Sequence, residues 1–458
     1  MGSTSAPRRQ QWLVGAAALA VASIALAGVW VMRSRAVAQP NILVVIIDSL
    51  RADRVGAVGS QQSLTPFIDN LASGGVVYER AYAPSSWTVP VVASLFTGQY
   101  PSEHGVTTFF SRLQDRTTLA ETLATVGYAT SAVTANSAIQ SRSGFDTGFE
   151  RYALVGEPTM QNLKSDGGLV NQKALEFVDS IDGKRPQFLY LHYMDVHMPY
   201  RTHAGITPPR EASLQRSDEQ LANAMIWYRW NFTANEVWRL EDMYDGEVQY
   251  VDTELRDLFA GLEQRGFLNG ALVIVTSDHG EQFGRHGLYG HGGSLNETLI
   301  RVPLLIRTPD GTLGRVTTPV QLGGLPAFIL QTVGAPRPPS MHFAPLPTTD
   351  SAATRTRNAA VRSELVQSGH KEYWKHKQAL VLGRYKLLVS PDDKEVMYDL
   401  SRDPYERRPL PSVNATLDDI LETELAAAQQ RRVADEERAQ VTPDAATLER
   451  LRAAGYLN

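Results

Sequence analysis

The stretch Asn-Ile-Leu-Val-Val-Ile-Ile-Asp, residues 41–48, decides the fold of this 458-residue chain. Its unbroken apolar run, rich in β-branched residues, predicts a central parallel strand that is buried on both faces of a sheet. Comparable runs recur at Ala129–Thr134, Phe188–Met194, Ala271–Ser277 and Val302–Ile306. Strands that alternate with helical segments predict one large doubly wound α/β domain, which we assign to residues 39–350.

Helical signals lie between these apolar runs. Thr65-Pro66 begins one segment, because proline suits the first turn of a helix. The apolar residues from Val237 to Leu262 repeat at helical spacing and predict a long amphipathic helix.

The sequence pattern changes after residue 350. Three short apolar runs separated by turn residues predict an antiparallel meander at Gln378–Leu382, Tyr385–Val389 and Val396–Leu400. The segment from Leu417 to Asn458 is charged and has a helical pattern. We therefore assign residues 351–458 to a small C-terminal antiparallel β-sheet subdomain with a C-terminal helix.

The N-terminal segment, residues 1–38, predicts membrane targeting or export. Trp12–Met32 contains no charged residue and would span about 31 Å as a helix, close to the thickness of a bilayer core. We expect an uncleaved transmembrane signal anchor, and a cleaved signal peptide is the alternative because Ala36-Val37-Ala38 suits cleavage. The expected location is a single-pass membrane protein with its main domain on the exported, periplasmic or extracellular side, or else a secreted protein.

Composition excludes several function classes. The chain has no cysteine, so disulfides, thiolate metal sites and cysteine nucleophiles are excluded. The first 38 residues hold four arginines and no acid, which leaves 40 basic against 49 acidic side chains in the remainder. Because nonspecific binding to nucleic acid depends on neutralising phosphates, this acidic body predicts no nucleic-acid partner.

Acidic residues follow three of the predicted strands. They are Asp48, Asp195 and Asp278, and His279 comes directly after the last. In open α/β sheets functional groups collect at the carboxyl ends of the strands, although a single acid there is often only a turn or cap residue. A carboxylate beside an imidazole is a suitable pair of ligands for a divalent metal ion.

A second centre is Ser85–Gly98, where Pro90 and Gly98 suit the first turn and the end of a helix. Thr88 is then expected near the cap position. It could serve only as an N-cap, or its hydroxyl could act as a nucleophile next to backbone N–H groups that stabilise an anion. Five of the ten histidines fall within residues 192–197 and 279–291, a grouping that isolated core histidines explain poorly.

These stretches together resemble the sulfatase family of the alkaline phosphatase superfamily. The matching segments are Asn41–Arg54, Leu64–Tyr82, Ser85–Gly105, His192–Tyr200, Tyr244–His291, Arg301–Pro309 and Gly383–Glu406. The resemblance implies an alkaline-phosphatase-like domain with a smaller antiparallel subdomain, and a metal-dependent reaction on sulfate or phosphate esters by in-line displacement.

Site roles follow from this resemblance, residue by residue. Asp48, Asp278 and His279 match metal ligands, and Thr88 stands at the position of the nucleophile, which also contacts the metal. The substrate anion is expected to contact His197, His291 and Asn136. His286 is a candidate to protonate the leaving group, and a supporting role for its side chain stays open.

The chain departs from the family at its nucleophile. The family signature is Cys-x-Pro-Ser-Arg, with the cysteine matured to formylglycine, whereas this chain has Thr88-Val89-Pro90-Val91-Val92. Ser49 replaces a frequent second acid, and Thr134-Ala135-Asn136 stands where the family has Lys-Trp-His. A formylglycine hydrate releases sulfate by collapsing to the aldehyde, which a threonine ester cannot do, whereas a phosphothreonine can be resolved by attack at phosphorus. Phosphoryl chemistry is therefore favoured.

The expected cofactor is one divalent metal ion, Mn, Zn or Ca, with Mn or Zn favoured because the ligand set resembles that of membrane-anchored phosphoglycerol and phosphoethanolamine transferases. The substrate is expected to be an ester, with an envelope lipid, glycan or polymer as candidates. Two alternatives stay open: a catalytically silent envelope binding module, and a true sulfuric ester hydrolase that works without formylglycine. The oligomeric state and the choice between hydrolase and transferase are left undecided by the sequence.

Overall fold

The computed structural model describes residues 39–62, 64–156, 166–208, 211, 213–226, 231–351, 360–366, 377–389, 395–411, 419–420, 423 and 445. The chain divides into two compact units, Met1–Gln39 and Pro40–Asn458, and the architecture below is that of the second unit. The predicted anchor Trp12–Met32 and most of the predicted C-terminal helix lie outside the described residues, so both stay predictions. Within the described part of the chain, every helix is too short or too polar to cross a membrane.

The main domain is built on a nine-stranded mixed sheet and carries a short two-stranded hairpin. The sheet order is β10-β2-β9-β6-β1-β5-β3-β4, β11 pairs with β2, and β7 pairs with β8. These strands are β1 Ile42–Ile47, β2 Val76–Tyr82, β3 Ala129–Thr134, β4 Arg151–Leu154, β5 Gln187–Tyr193, β6 Leu272–Thr276, β7 Gln282–Phe283, β8 Tyr289–Gly290, β9 Arg301–Arg307, β10 Gly314–Val316 and β11 Val320–Gln321.

The centre of the sheet agrees with the sequence. All six residues of β1 are buried, and β1 pairs in parallel with both β5 and β6. The run Val302–Ile306 was expected to join them as a further strand of the same kind, but β9 is antiparallel to both β2 and β6. A wholly apolar run indicates that both faces of a strand are buried, but it does not reveal the direction of the strand. The sheet is therefore mixed, within the α/β class that the sequence predicts.

Helices connect and cover the strands. They are α1 Pro66–Ala72, α2 Thr88–Thr97, α3 Pro101–His104, α4 Leu119–Thr125, α5 Gly167–Asp179, α6 Asp218–Ile226, α7 Ala234–Gln264, α8 Glu297–Ile300 and α9 Leu325–Thr332. Two of them confirm sequence predictions. Proline occupies the first turn of α1, and α7 begins with a capping box in which Thr233 Oγ1 accepts the N–H of Glu236.

The C-terminal sheet has four antiparallel strands, β12 Ala360–Leu365, β13 Lys377–Leu382, β14 Tyr385–Val389 and β15 Glu395–Asp399. The last three confirm the predicted meander, and β12 is an additional strand. The sheet is joined to the main domain by polar contacts. Ser363 Oγ donates to the Ala83 carbonyl at 2.6 Å, and the fully buried Lys386 Nζ lies 3.1 Å from Glu297 Oε1 and 2.7 Å from Glu406 Oε1.

Candidate active site

Asp48 is the centre of a buried polar cluster. It follows β1 directly and its side chain is fully buried. Its Oδ2 accepts a hydrogen bond from Asn136 Nδ2 at 2.7 Å and lies 3.0 Å from His192 Nε2 and 3.3 Å from Thr88 Oγ1. Because β1, β3 and β5 are parallel neighbours, their carboxyl ends bring Asp48, Asn136 and His192 to the same edge of the sheet.

Thr88 was predicted near the N-cap position of α2 and lies one residue after it. Trp87 holds the N-cap position, with an extended backbone and no capping side chain, and Thr88 is the first helical residue. Its hydroxyl is therefore not used to cap the helix. Thr88 Oγ1 lies 3.2 Å from His279 Nε2 and within hydrogen-bond reach of Asp48. The α2 N-terminus thus directs a hydroxyl group at a carboxylate and an imidazole.

Asp278 and His279 follow β6 and complete the cluster. Asp278 Oδ1 accepts the backbone N–H groups of His279 at 2.9 Å and of Ser49 at 3.3 Å. The second contact depends on a left-handed backbone at Ser49, with φ of 63°, a conformation that is rare for residues other than glycine. Ser49 Oγ in turn donates to Asp48 Oδ1 at 3.0 Å, so this residue links the two carboxylates.

The cluster fits a divalent metal ion. Asp48, His192 and Asp278 each offer a ligand atom, and these atoms all lie within 4.8 Å of one another. Asp278 Oδ2 is buried and has no hydrogen-bond partner among the described residues, which suits an oxygen that faces a cation. His279 Nε2 lies 3.5 Å from Asp48 Oδ1 and 3.5 Å from Asp278 Oδ2. Carboxylate and imidazole donors suit Mn or Zn.

The pKa values of the two carboxyls shift in opposite directions. Burial by itself would raise the pKa of Asp48, but His197 and the contact with His192 hold that pKa well below its ordinary range. Burial and the neighbouring charge of Asp48 raise the pKa of Asp278. Two carboxylates in one dry cluster therefore repel each other, and a bound cation would let both ionise.

His197 and His291 lie beside this cluster, and their contact with a substrate anion stays a prediction. The ring centroids of His197 and His291 are 4.8 Å apart, and those of His279 and His291 are 4.4 Å apart. Burial lowers the pKa of His197 to about 4, which keeps its ring neutral. Burial alone would lower the pKa of His291 as well, but Glu281 raises it, because Glu281 Oε1 lies 3.3 Å from His291 Nδ1.

Two other predicted residues occupy positions that the sequence did not reveal. His286 is exposed in the turn Arg285–Gly287, with φ of 55°, whereas the residues of the cluster are buried. Asn136 donates from Nδ2 to Asp48 Oδ2 at 2.7 Å, and this Nδ2 is also 3.5 Å from Thr88 Oγ1, while its contact with the substrate anion stays a prediction. Asn136 is therefore placed to orient the two residues that it contacts.

Sequence reasoning missed two residues of the site. His192 lies near the end of β5, and the available signal was its place in the histidine grouping at the carboxyl end of the predicted strand Phe188–Met194. Glu281 is fully buried two residues after His279, and Tyr200 OH donates to its Oε2 at 3.0 Å. An acid two residues after the Asp-His pair was a weak signal, because the sequence does not reveal burial of a single glutamate.

Comparisons with known proteins identify the family of the chain. The sulfatase family profile matches residues 40–335. An arylsulfatase of Clostridium perfringens is 22% identical over 344 residues, covering 60% of this chain and 70% of its own length. The multifunctional alkaline phosphatase superfamily protein PehA of Trinickia caryophylli is 24% identical over 350 residues, covering 58% of this chain and 68% of its own.

Solved structures share the fold. The crystal structure of the phosphonate monoester hydrolase of Agrobacterium radiobacter matches with a TM-score of 0.70 and 18% identity, over 88% of this chain and all of that one. At this identity the likeness shows the architecture alone. The profile match spans well over half of the chain and covers every residue of the cluster described above. The chain therefore belongs to the sulfatase family of the alkaline phosphatase superfamily.

Proposed function

We propose that this chain is a metal-dependent ester hydrolase that uses Thr88 as its nucleophile and prefers phosphoryl or phosphonate esters to sulfate esters. The observation that carries the proposal is the position of the Thr88 hydroxyl. It lies 3.3 Å from Asp48 Oδ2 and 3.2 Å from His279 Nε2, at the first residue of α2. A hydroxyl serving only as a cap would turn to the N–H groups of its own helix instead.

Asp48 Oδ2, 3.3 Å from the Thr88 hydroxyl, can accept its proton, and the His279 ring is oriented to serve as a metal ligand. His279 Nδ1 lies 2.9 Å from the Gly280 carbonyl, which can only accept a hydrogen bond. In the neutral ring Nδ1 therefore carries the hydrogen, and the lone pair of Nε2 faces Thr88 and Asp48. The unpaired N–H groups of the first turn of α2 favour negative charge on the Thr88 oxygen.

Asp48, His192, Asp278 and His279 would hold the metal ion. When bound, such an ion lowers the pKa of a nearby hydroxyl and polarises the ester oxygen. Asp48 and Asp278 would be ionised in that state. His291, held by Glu281, contributes positive charge beside the cluster, which suits a substrate anion.

The choice of phosphorus over sulfur depends on the second half of the reaction. Attack by Thr88 would leave a threonine ester. Threonine has no second hydroxyl on its Cβ, so that ester cannot collapse to an aldehyde and expel sulfate. Water can resolve a phosphothreonine by in-line attack at phosphorus, with the threonine oxygen leaving. The phosphonate monoester hydrolase that shares the fold supports phosphoryl-type substrates, and the related arylsulfatase keeps sulfate esters as the alternative.

A set of nucleophile variants tests the proposal. Thr88→Ala, Thr88→Ser and the unchanged chain would be assayed on nitrophenyl phosphate, phenyl phosphonate and sulfate esters, with bound metal measured in each. We expect Thr88→Ala to lose at least about a thousandfold in kcat/KM while it keeps its metal, and Thr88→Ser to keep most activity. Equal turnover by Thr88→Ala would rule out Thr88 as nucleophile, and faster sulfate than phosphate release would rule out the phosphoryl preference.

A further inference from the structure

A polar cavity, made of residues outside the candidate active site, opens where the main sheet meets the C-terminal sheet. Its volume is about 260 Å³. Residues of β2, the start of β9 and the turns of the C-terminal sheet line it. The charged ones are Glu79, Arg80, Glu297, Arg301 and Arg384. The positive charges of three arginines and the negative charges of two glutamates would nearly cancel if the glutamates were free to pair with the arginines.

Both glutamates are engaged by cations that do not line this cavity. Glu297 Oε1 lies 3.1 Å from the buried Lys386 Nζ, and Glu297 Oε2 accepts the Tyr82 hydroxyl at 3.2 Å. Glu79 Oε1 lies 2.8 Å from Arg315 Nε. Glu79 is therefore paired with a cation outside the lining, and Glu297 shares the buried Lys386 with Glu406.

The arginines, in contrast, keep their positive charge. Arg301 donates from Nε and Nη2 to the backbone carbonyl of Glu79, at 3.1 and 2.8 Å. Arg80 Nη2 donates to the hydroxyl of Tyr82 at 3.4 Å. Neither forms an ion pair with a carboxylate of the described residues. Only Arg384 approaches one, with its Nε 3.5 Å from Asp399 Oδ2.

A break in strand pairing gives the cavity its shape. Between Tyr78 and Ala81 the register of β2 against β9 shifts, so that β2 has one residue more than its partner. In a regular strand, consecutive side chains point to opposite faces. At this bulge Glu79 and Arg80 both line the same cavity. Bulges re-aim side chains in this way and are frequent next to binding sites.

We infer that this cavity binds a phosphate or sulfate group of a small molecule. Two guanidinium groups without carboxylate partners converge on a space large enough for a tetrahedral oxyanion and a few further atoms. The planar N–H fork of arginine matches such oxygens in a bidentate way. The ligand is either a free inorganic anion or the anionic group of a small organic ester.

Binding titrations on the full chain test this inference independently of the reaction at Thr88. Inorganic phosphate and inorganic sulfate would be titrated calorimetrically into the unchanged chain, Arg80→Gln, Arg301→Gln and the control Arg256→Gln, whose side chain is 61% exposed on α7. We expect a saturable binding event, distinct from any at the active site, that Arg256→Gln keeps and that both cavity variants weaken about tenfold or more, as the loss of charge-assisted hydrogen bonds requires. The active-site variant His291→Gln should keep this event as well.

Two further measurements keep the test decisive. Thermal unfolding of each variant distinguishes a loss of binding from a loss of folding. If Arg301→Gln proves unstable, the binding measured with Arg80→Gln still tests the inference. Comparison of inorganic phosphate with glycerol 3-phosphate distinguishes the two ligand sources, since tighter binding of the organic phosphate would identify an ester. Anion binding that is equal in Arg80→Gln and Arg256→Gln, or lost in His291→Gln alone, would overturn the inference.

Discussion

Thr88 Oγ1 lies 3.2 Å from His279 Nε2, although 191 positions separate the two residues in the sequence. The contact depends on two elements that meet at one end of the sheet, the N-terminus of α2 and the loop after β6. Both side chains are buried, so the hydroxyl and the imidazole meet away from bulk water. A polar contact in such surroundings is stronger than the same contact at the surface.

Removal of the His192 imidazole should weaken metal binding. His192 Nε2 lies 3.0 Å from Asp48 Oδ2, and its other ring nitrogen is 3.0 Å from the Tyr190 hydroxyl. We expect His192→Gln to lower the affinity for Zn and Mn by about tenfold to a hundredfold, measured by chelator competition with metal-free protein. His286→Gln is the control, because that histidine is exposed, and it should bind metal as the unchanged chain does. Equal affinities in the two variants would contradict a ligand role for His192.

His291, not His286, should govern turnover. The His291 side chain is 6% exposed, pairs with Glu281 and lies against His279 and His197, whereas His286 stands on an exposed turn. His291→Gln is expected to lower kcat/KM by about a hundredfold or more, and His286→Gln by less than about threefold. Steady-state kinetics on a nitrophenyl ester would measure both. A large loss in His286→Gln would instead support the general-acid role that the sequence suggests for it.

A methyl group at Gly280 should disturb the loop that carries His279. A Cβ at this position would lie 2.0 Å from the backbone carbonyl oxygen of Thr298, which cannot move aside as a flexible side chain could. We expect Gly280→Ala to cost about 1–3 kcal/mol in the free energy of unfolding, as overpacking does, and to weaken metal binding. Gly183→Ala is the matched control, since nothing lies within 4 Å of its Cβ position. Urea unfolding compares the two, and equal stability of both variants would contradict the packing.

Asp53 should stabilise the fold in a pH-dependent way. Its Oδ2 lies 2.7 Å from the Nη2 of Arg51, whose side chain is 1% exposed. Burial alone would raise the pKa of Asp53, but Arg51 and Arg54 hold it far below the ordinary value of about 3.9. A carboxyl with a lowered pKa stabilises the folded state above its unfolded pKa, and this stabilisation is lost as the pH falls toward the folded pKa.

We therefore expect Asp53→Asn to lower the free energy of unfolding by about 3 kcal/mol at pH 7, because it leaves Arg51 buried without its partner. The difference between the two chains should shrink steadily as the pH falls below about 4, in urea titrations run from pH 7 to pH 3. Asp257→Asn removes a 63% exposed carboxylate from a surface pair and should change stability by less than about 0.5 kcal/mol. A difference for Asp53→Asn that stays constant with pH would show that charge is not the cause.

Much of the fold was predictable because its signals are local. The run Ile42–Ile47 is buried in full, and a wholly apolar, β-branched sequence has few alternatives to a central strand. Proline in the first turn of α1 and helical periodicity through α7 are likewise properties of a few neighbouring residues. The direction of β9 was not predictable, because burial on both faces gives the same composition to parallel and antiparallel strands.

The sequence by itself determined which residue types end the strands of the sheet and begin α2: Asp48 after β1, Asp278 and His279 after β6, and Thr88 in place of a cysteine. Only the tertiary structure decided which of them touch. The structure places His192 beside Asp48, makes Asn136 a hydrogen-bond donor to Asp48 and exposes His286 on a turn. Strand order and helix entry set those distances, and both depend on packing between segments far apart in the chain. The sequence determines the residue type at each position, whereas contacts between distant segments determine which of these residues form a site.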